Sequence, residues 1–283
     1  MTDVSNPLGR ALEHELEREA FSLVTSGPDA LDWHSASAVA DYIQDLRPGL
    51  VINTLGWSDL PDVGERTLQQ AAAAGLGRAC QPGGTPVLQF SSYRVFGGDN
   101  KSSHSERDEP NPQSDTGRAW LAAEQALEAN LPQRLILRLS WLLDSHGDNL
   151  LTRLLTQLYS SEAVMVNARL RGAPTALSDV ARVAVALVKQ VSCGAENWGT
   201  LHYCSTGACS QAELAAQVVD VLRQLEALPA EPMLTRLDSL PEDEPVSAVL
   251  SCRRVRDNFG VQTRSWEPSL VPMIKQWLHQ NRD

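Results

Sequence analysis

The cysteines and histidines of this chain are not spaced as metal ligands. Its five cysteines form no Cys-x-x-Cys pair, and its six histidines are scattered along the sequence. Structural zinc sites are built from closely spaced pairs of these residues. The sequence therefore predicts no metal centre, and we expect the cysteines to be reduced thiols in the core or at the surface.

The segment 111–124 has helical character but lacks a pair of residues for proton transfer. In hydride transfer, a phenol can supply the proton when a neighbouring ammonium holds it near ionisation. The segment contains neither tyrosine nor lysine, and Thr116 and Trp120 lie about one helical turn apart in it. Most of the segment lies in a helix predicted at 114–130, and neither member of such a pair is present in it.

Composition limits the classes of protein to which the chain can belong. With 283 residues, of which 42% are hydrophobic, it can form a packed core. Its formal net charge of -11 argues against a nucleic-acid partner, because phosphate backbones bind clustered positive charge. No apolar run approaches the roughly 20 residues that span a bilayer, and residues 1–7 do not resemble a secretory signal. We expect a cytoplasmic protein with no membrane partner.

Short apolar runs alternate with helical patterns along the chain. Strands are predicted at 21–25, 49–53, 86–92, 134–139 and 200–204. Helices are predicted at 8–20, 35–46, 66–80, 114–130, 149–160, 177–190, 210–225 and 268–279. The alternation predicts an α/β fold with a doubly wound parallel sheet. We expect a nucleotide-binding domain at 1–150 and a smaller, partly interleaved substrate lobe at 151–283, in which the stretch 228–245 is a surface connection.

Several segments share their order and spacing with one known family. They include 46–53, 109–112, 135–141, Phe-Ser-Ser-Tyr-Arg-Val-Phe-Gly-Gly at 90–98 and Gly-Ala-Pro-Thr at 172–175. On these segments the chain resembles the dTDP-4-dehydrorhamnose reductase family of extended short-chain dehydrogenase/reductases, and it is similar to the beta subunit of methionine adenosyltransferase. The resemblance implies a Rossmann-like fold, NADPH as cofactor and a nucleotide sugar as substrate. Only residues 1–2 are left for the family's first strand, so this strand is missing or the true start codon lies upstream.

The resemblance places a degraded phosphate turn at the beginning of the chain. The family has a Gly-x-x-Gly-x-x-Gly turn there, whose glycines let the backbone approach the cofactor pyrophosphate. In this sequence Asp3 and Asn6 replace the first two glycines, and only Gly9 remains. The resemblance implies Asn6, Gly9, Asn53 and Ser91 as remnants of a cofactor site that binds NAD(P)H weakly or not at all.

The same resemblance locates the catalytic positions. Ser92 stands at the position of the hydroxyl that hydrogen-bonds the substrate carbonyl in the family, whereas Thr116 and Trp120 stand where the family has its tyrosine and lysine. Ser92 is then either a catalytic remnant or a small polar residue that ends a strand. An active enzyme would need Tyr93 or Tyr42 in place of the lost phenol, together with another cation.

The resemblance also implies a substrate site that contains Arg94, Trp141, Pro174 and Thr175. Arg94 stands where the family usually has an aromatic residue, and a structural ion pair is the alternative to ligand binding for it. Pro174 and Thr175 are equally explained by the needs of a turn and a helix start.

These departures from the family favour a non-catalytic member with a regulatory, scaffolding or ligand-sensing role. Such a member would act on an unidentified protein partner, form a homodimer, or bind a nucleotide or sugar nucleotide. One alternative is an active reductase or epimerase of nucleotide sugars with rearranged catalytic groups. Another is a sugar-nucleotide binding protein without redox chemistry.

Overall fold

The computed structural model describes residues 1–58, 61–160, 163–240 and 244–281. Its helices α1 to α9 span Pro7–Leu16, Ala36–Leu46, Val63–Cys80, Asp115–Glu128, Leu150–Ser160, Leu177–Ser192, Gln211–Gln224, Arg253–Phe259 and Glu267–Gln280. Its strands β1 to β10 span Val51–Asn53, Val87–Ser92, Arg134–Leu139, Leu142–Leu143, Ala163–Asn167, Arg171–Gly172, Thr175–Ala176, Gly199–Tyr203, Cys209–Ser210 and Met233–Leu237. A short 3₁₀ helix at Tyr93–Val95 follows β2.

A parallel sheet with the order β1–β2–β3–β8 lies at the centre of the molecule. Alternate side chains of its strands enter two different core clusters. Val87 and Ile136 pack with residues of α2 and α3, whereas Leu88 and Leu137 pack with residues of α1 and α6. Helices therefore cover both faces, which explains why the strands are almost continuously apolar and confirms the doubly wound α/β fold.

Residues 1–2, which the sequence left as the remnant of a first strand, lie beside β1. The backbone N–H of Thr2 donates to the carbonyl of Ile52 at 3.1 Å. On the other side, the carbonyl of Met1 accepts from the N–H of Ser26 at 3.0 Å. The predicted strand at 21–25 is wrong as a regular strand, because so short a neighbour offers too few partners for a ladder.

The second half of the chain contributes small strand pairs that the sequence did not predict. β5 and β10 pair in parallel, with Val164 opposite Leu234. The stretch 228–245 is therefore not a plain surface connection, since it contains β10. The short pairs β4–β7 and β6–β9 lie nearby in sequence. β8, from the second half of the chain, joins the main sheet in parallel beside β3.

Helix α4, which carries Thr116, is held in position by close contact with the 3₁₀ helix. At Gly117, a Cβ atom would lie 2.1 Å from the backbone oxygen of Arg94. The side chain of Ser114 caps this helix by accepting a hydrogen bond from the Gly117 N–H at 3.0 Å. Position 117 must therefore be glycine, because the two backbones approach too closely to leave room for a Cβ atom.

We expect Gly117→Ala to destabilise the protein by about 1–3 kcal/mol, because the added methyl group must push α4 away from the 3₁₀ helix. Urea unfolding followed by circular dichroism measures this change. Gly49→Ala is the matched control, since no atom lies within 4 Å of the added Cβ there. Equal stabilities of the two variants would show that α4 and the 3₁₀ helix are not in close contact at Gly117.

Candidate functional site

The carboxyl ends of β1 and β2 and the beginning of α1 meet at one edge of the sheet. In open parallel sheets, this edge is where ligands bind. A cavity of about 470 Å³ opens there. Its walls include Asp3, Asn6, Arg10, Trp57, Asp144 and Asp148.

The buried carboxylate of Asp3 lies at the beginning of α1. One of its oxygens accepts hydrogen bonds from both the backbone N–H and the hydroxyl of Ser5, each at 2.7 Å. The other accepts from the side-chain amide of Asn6 at 2.8 Å. Because a helix N-terminus attracts anions, Asp3 supplies from within the chain the negative charge that a bound phosphate would bring.

Asn6 and Gly9 have structural tasks in the same turn. The side-chain oxygen of Asn6 caps α1 by accepting from the Gly9 N–H at 2.8 Å, and its amide also donates to the carbonyl of Thr54 at 2.8 Å. At Gly9, a Cβ atom would lie 2.1 Å from the backbone oxygen of Asp3. The surviving glycine therefore permits the chain to fold back on itself before α1.

Asn53 and Ser91, the other two predicted cofactor residues, direct their polar groups into the protein. The side chain of Asn53 accepts from the hydroxyl of Thr2 at 2.9 Å and donates to Gln89 at 2.6 Å. The hydroxyl of Ser91 donates to the carboxylate of Glu124. Neither residue lines the cavity at α1.

The three positions that the resemblance marks as catalytic lie on β2 and α4. Ser92 is half-buried, and its oxygen accepts from the Arg94 N–H at 3.3 Å, which starts the 3₁₀ helix. Thr116 is half-buried on the first turn of α4. Trp120 is only 2% exposed and belongs to the main core cluster, as do Trp57 and its other aromatic neighbours. The indole N–H of Trp120 has no acceptor among the described residues.

Arg94 and Tyr93 face a second cavity of about 320 Å³. Arg94 forms an ion pair with Glu244, and the Tyr93 hydroxyl donates to the same carboxylate at 3.2 Å. The guanidinium of Arg94 also lies 5.1 Å from the centre of the Tyr93 ring. Trp141 and Arg153 complete this part of the wall. The structure thus brings two predicted substrate residues, Arg94 and Trp141, to one cavity.

Pro174 and Thr175 lie in the interior and line neither of these two cavities. The hydroxyl of Thr175 donates to the carbonyl of Ala173 at 2.9 Å and accepts from the Ser205 N–H at 3.0 Å. Tyr42 lies on α2, where its hydroxyl is 2.5 Å from that of Ser26. It lines a cavity different from that of Tyr93, so the two tyrosines are not brought to one site.

A buried charged network lies behind Ser91, and Glu124, the partner of Arg138 in it, was not predicted from the sequence. Arg138 on β3 donates to both oxygens of Glu124 on α4, at 2.8 and 2.6 Å. Both side chains are buried, and this bidentate geometry is the strongest form of such a pair. The sequence did contain a signal for this pair. Glu124 lies one turn after Trp120 on the apolar face of α4, so its carboxylate is buried and needs a partner.

Two buried histidines lie beyond Arg138. His202 on β8 and His104 pack against the ring of Phe96, with centroid distances of 5.7 and 4.3 Å. Burial, reinforced by the positive charge of Arg138, lowers the pKa of His202 to about 3. His202 is therefore neutral in the folded protein near neutral pH.

Comparison with known proteins identifies the family. The sequence profile of the RmlD substrate binding domain matches residues 1–279. The chain belongs to this family. It is 25% identical over 276 residues to a dTDP-4-dehydrorhamnose reductase of Sinorhizobium fredii, covering 94% of this chain and 93% of that protein. It is 28% identical to a probable dTDP-4,6-dihydroxy-2-methyloxan-3-one 4-ketoreductase of Streptomyces antibioticus, covering 95% and 92%.

Solved structures of RmlD-type proteins share the fold. A dTDP-4-dehydrorhamnose reductase from Clostridium acetobutylicum superposes with a TM-score of 0.84 at 25% identity, covering 99% of this chain and 98% of that chain. The enzyme from Bacillus anthracis, solved in complex with NADP, gives 0.83 at 24% identity and covers 97% of both chains. The family resemblance and the fold class predicted from the sequence are thereby confirmed.

The turn before α1 is a poor fit for the diphosphate of a dinucleotide. The Ser5 N–H and hydroxyl and the Asn6 amide already donate to Asp3, and Pro7 has no N–H to offer. A cofactor phosphate would also meet the negative charge of the Asp3 carboxylate at short range.

Residues 1–58, 61–160, 163–240 and 244–281, the part of the chain that the structure describes, contain no cluster of metal ligands and no helix that could span a membrane. Among the described residues, no group of three or more His, Cys, Asp or Glu side chains is arranged to hold a metal ion. Of the helices in that part, none combines the length and the apolar character needed to cross a bilayer.

We expect His202 to make the protein less stable in acid. An unfolded histidine titrates near pH 6.5, whereas the folded pKa of His202 is about 3. Between these values the unfolded state binds the extra proton, so stability is lost as the pH falls, by up to about 1.4 kcal/mol per pH unit. His202→Phe should reduce this slope in urea unfolding measured between about pH 6 and pH 4.

His14→Asn is the control for this measurement, because His14 is exposed on α1. It should leave the slope of the unfolding free energy against pH unchanged. A slope in His202→Phe equal to that of the wild-type protein would show that His202 is not buried in its neutral form.

Proposed function

We propose that this RmlD-family protein does not catalyse the carbonyl reduction of its relatives and has a regulatory or ligand-sensing role. The observation that carries the proposal is the burial of Trp120 at the position where the family has its catalytic lysine. An indole at this point packs in the core and cannot place an ammonium beside a phenol. Thr116, at the tyrosine position, offers an alcohol that is a far weaker acid than a phenol.

The turn before α1 supports the proposal independently. Asp3 satisfies the donors that would otherwise hold cofactor phosphates. We therefore infer weak NAD(P)H binding. The proton donor and the cofactor are separate requirements of the reaction, and the residues for both are altered in this chain. A protein without this reaction could have a regulatory role through a protein partner or through self-association.

A rearranged active site has less support. Tyr93 donates its hydroxyl to Glu244 and faces the second cavity, whereas the hydroxyl of Tyr42 contacts Ser26. Ser92 uses its oxygen in the 3₁₀ turn. No lysine lines either cavity among the described residues.

We expect no consumption of NADPH with dTDP-4-dehydrorhamnose above a protein-free blank, because the proton donor of the family is absent. The assay follows NADPH absorbance with the purified full chain. Turnover well above the blank that is lost in Ser92→Ala would overturn the proposal.

Calorimetry of NADPH binding distinguishes a missing cofactor from missing chemistry. The wild-type dissociation constant should be near millimolar, and Asp3→Asn should strengthen binding about tenfold by removing one like charge. Glu17→Gln, at the exposed far end of α1, is the control and should change nothing. Micromolar binding by the wild-type protein would refute the weak-cofactor part of the proposal.

A second candidate function is the binding of a sugar nucleotide without redox chemistry. The cavity at Arg94 favours it, because a buried guanidinium and the aromatic rings of Tyr93 and Trp141 suit an anionic group attached to a planar ring. In this arrangement, Glu244 holds Arg94 in the absence of a ligand and competes with the anion for it.

We expect dTDP to bind with a dissociation constant that Arg94→Gln raises at least about tenfold and that Glu244→Gln lowers. Isothermal titration calorimetry measures both changes. The control is Arg118→Gln, since Arg118 is exposed on α4 and pairs with Asp115. Equal affinities in the wild-type protein and Arg94→Gln would remove this candidate.

A further inference from the structure

Two cysteines far apart in sequence lie side by side in the second half of the molecule. Cys204 directly follows β8, and Cys252 directly precedes α8. Their sulfur atoms are 3.7 Å apart, and the backbone N–H of Cys204 lies 3.1 Å from the sulfur of Cys252. The sulfurs would have to approach by about 1.7 Å to reach the roughly 2.0 Å of a disulfide. Since each residue lies just outside a regular element, side-chain rotation can supply much of this movement.

The pair can be reached from solvent through a cavity of about 440 Å³. Cys204 is buried, whereas Cys252 is partly exposed, and both line the cavity. Arg253 and Arg256 lie at the same wall and share one carboxylate, that of Asp257. This leaves an excess positive charge at the entrance, which favours the approach of anionic small molecules.

The other cysteines lack such an arrangement. Cys80 and Cys209 are buried, at 1% and 7% exposure, so neither is open to a small disulfide from solvent. Cys193 is exposed, but no second sulfur is recorded beside it in the described residues. The paired cysteines therefore differ from the rest both in having a partner sulfur and in being accessible.

We propose that Cys204 and Cys252 form a thiol-modification site at which an anionic low-molecular-weight disulfide, such as oxidised glutathione, oxidises them to an intramolecular disulfide. Cys252, the more accessible of the two, loses its proton to the solvent. Its sulfur, to which the Cys204 N–H donates, attacks one sulfur of the small disulfide, whose S–S bond breaks and releases one small thiolate. The thiolate of Cys204 then attacks Cys252, breaks the mixed S–S bond and releases the second. The two protein cysteines lose two electrons and two protons, and one small disulfide becomes two thiols.

Counting free thiols in the full chain tests this proposal. After incubation with oxidised glutathione, the protein is denatured and labelled with N-ethylmaleimide, and its intact mass is measured. The reduced protein should take five labels, because it has five cysteines, and the oxidised protein three, with no glutathione attached. Trypsin should then release residues 190–223 linked to residues 237–253 in the non-reduced sample.

Matched variants keep the result interpretable. Cys193→Ser should still form the linked peptides, whereas Cys252→Ser should not, and Cys204→Ser should retain glutathione on Cys252 because the second sulfur is missing. The bond joins β8 to α8 across 48 positions of sequence, so the oxidised wild-type protein should also unfold at a higher temperature than the reduced one. Retention of five free thiols, or glutathione on Cys193 alone, would overturn the proposal.

Discussion

The positions of α4, β3 and β2 relative to one another depend on the buried ion pair between Glu124 and Arg138. It joins α4 to β3, and Ser91 ties β2 to the same carboxylate. Two charges withdrawn from water are tolerated only when their hydrogen bonds are satisfied, and removing one partner of such a pair typically costs about 3–5 kcal/mol. The pair therefore fixes the face of α4 that meets the sheet. Trp120 lies one turn earlier on that face and must be buried there.

Asp3 and Trp120 have a similar effect, because each occupies with its own side chain what a ligand site would leave open. A site built for a ligand leaves donors and apolar surface open until the ligand arrives. Here Asp3 satisfies the donors before α1, and Trp120 fills core space with its indole. The unpaired indole N–H is a local cost that burial of the large ring offsets. Both features are in line with our proposal that the chain binds NAD(P)H weakly.

Sequence reasoning recovered what depends on local patterns. Helices α2 and α7 begin after Ser35 and Ser210, whose side chains cap them, because periodicity and caps are encoded within a few residues. Strand β10 was missed because its partner, β5, lies about 70 residues earlier. The conformation of residues 21–25 depends on Met1, which donates to the Val24 carbonyl across 23 positions. The replacement of the first glycine of the turn by Asp3 is visible in the sequence, but the hydrogen bonds of its carboxylate are not. The pair of Arg94 with Glu244 spans 150 positions and left no local signal.

Arg94 and Asp3 both have partners for their charges, and this pairing distinguishes an altered binding site from one that has simply been lost. A buried arginine at a position that is usually aromatic would be destabilising alone, because an uncompensated charge in the interior is costly. Arg94 has Glu244 as its counter-ion, and Asp3 has Ser5 and Asn6 as donors. Random loss of an active site would leave such charges unpaired. The compensation at both places, together with a cavity that remains open beside Arg94, supports our proposal of a site kept for binding in place of the family's proton transfer.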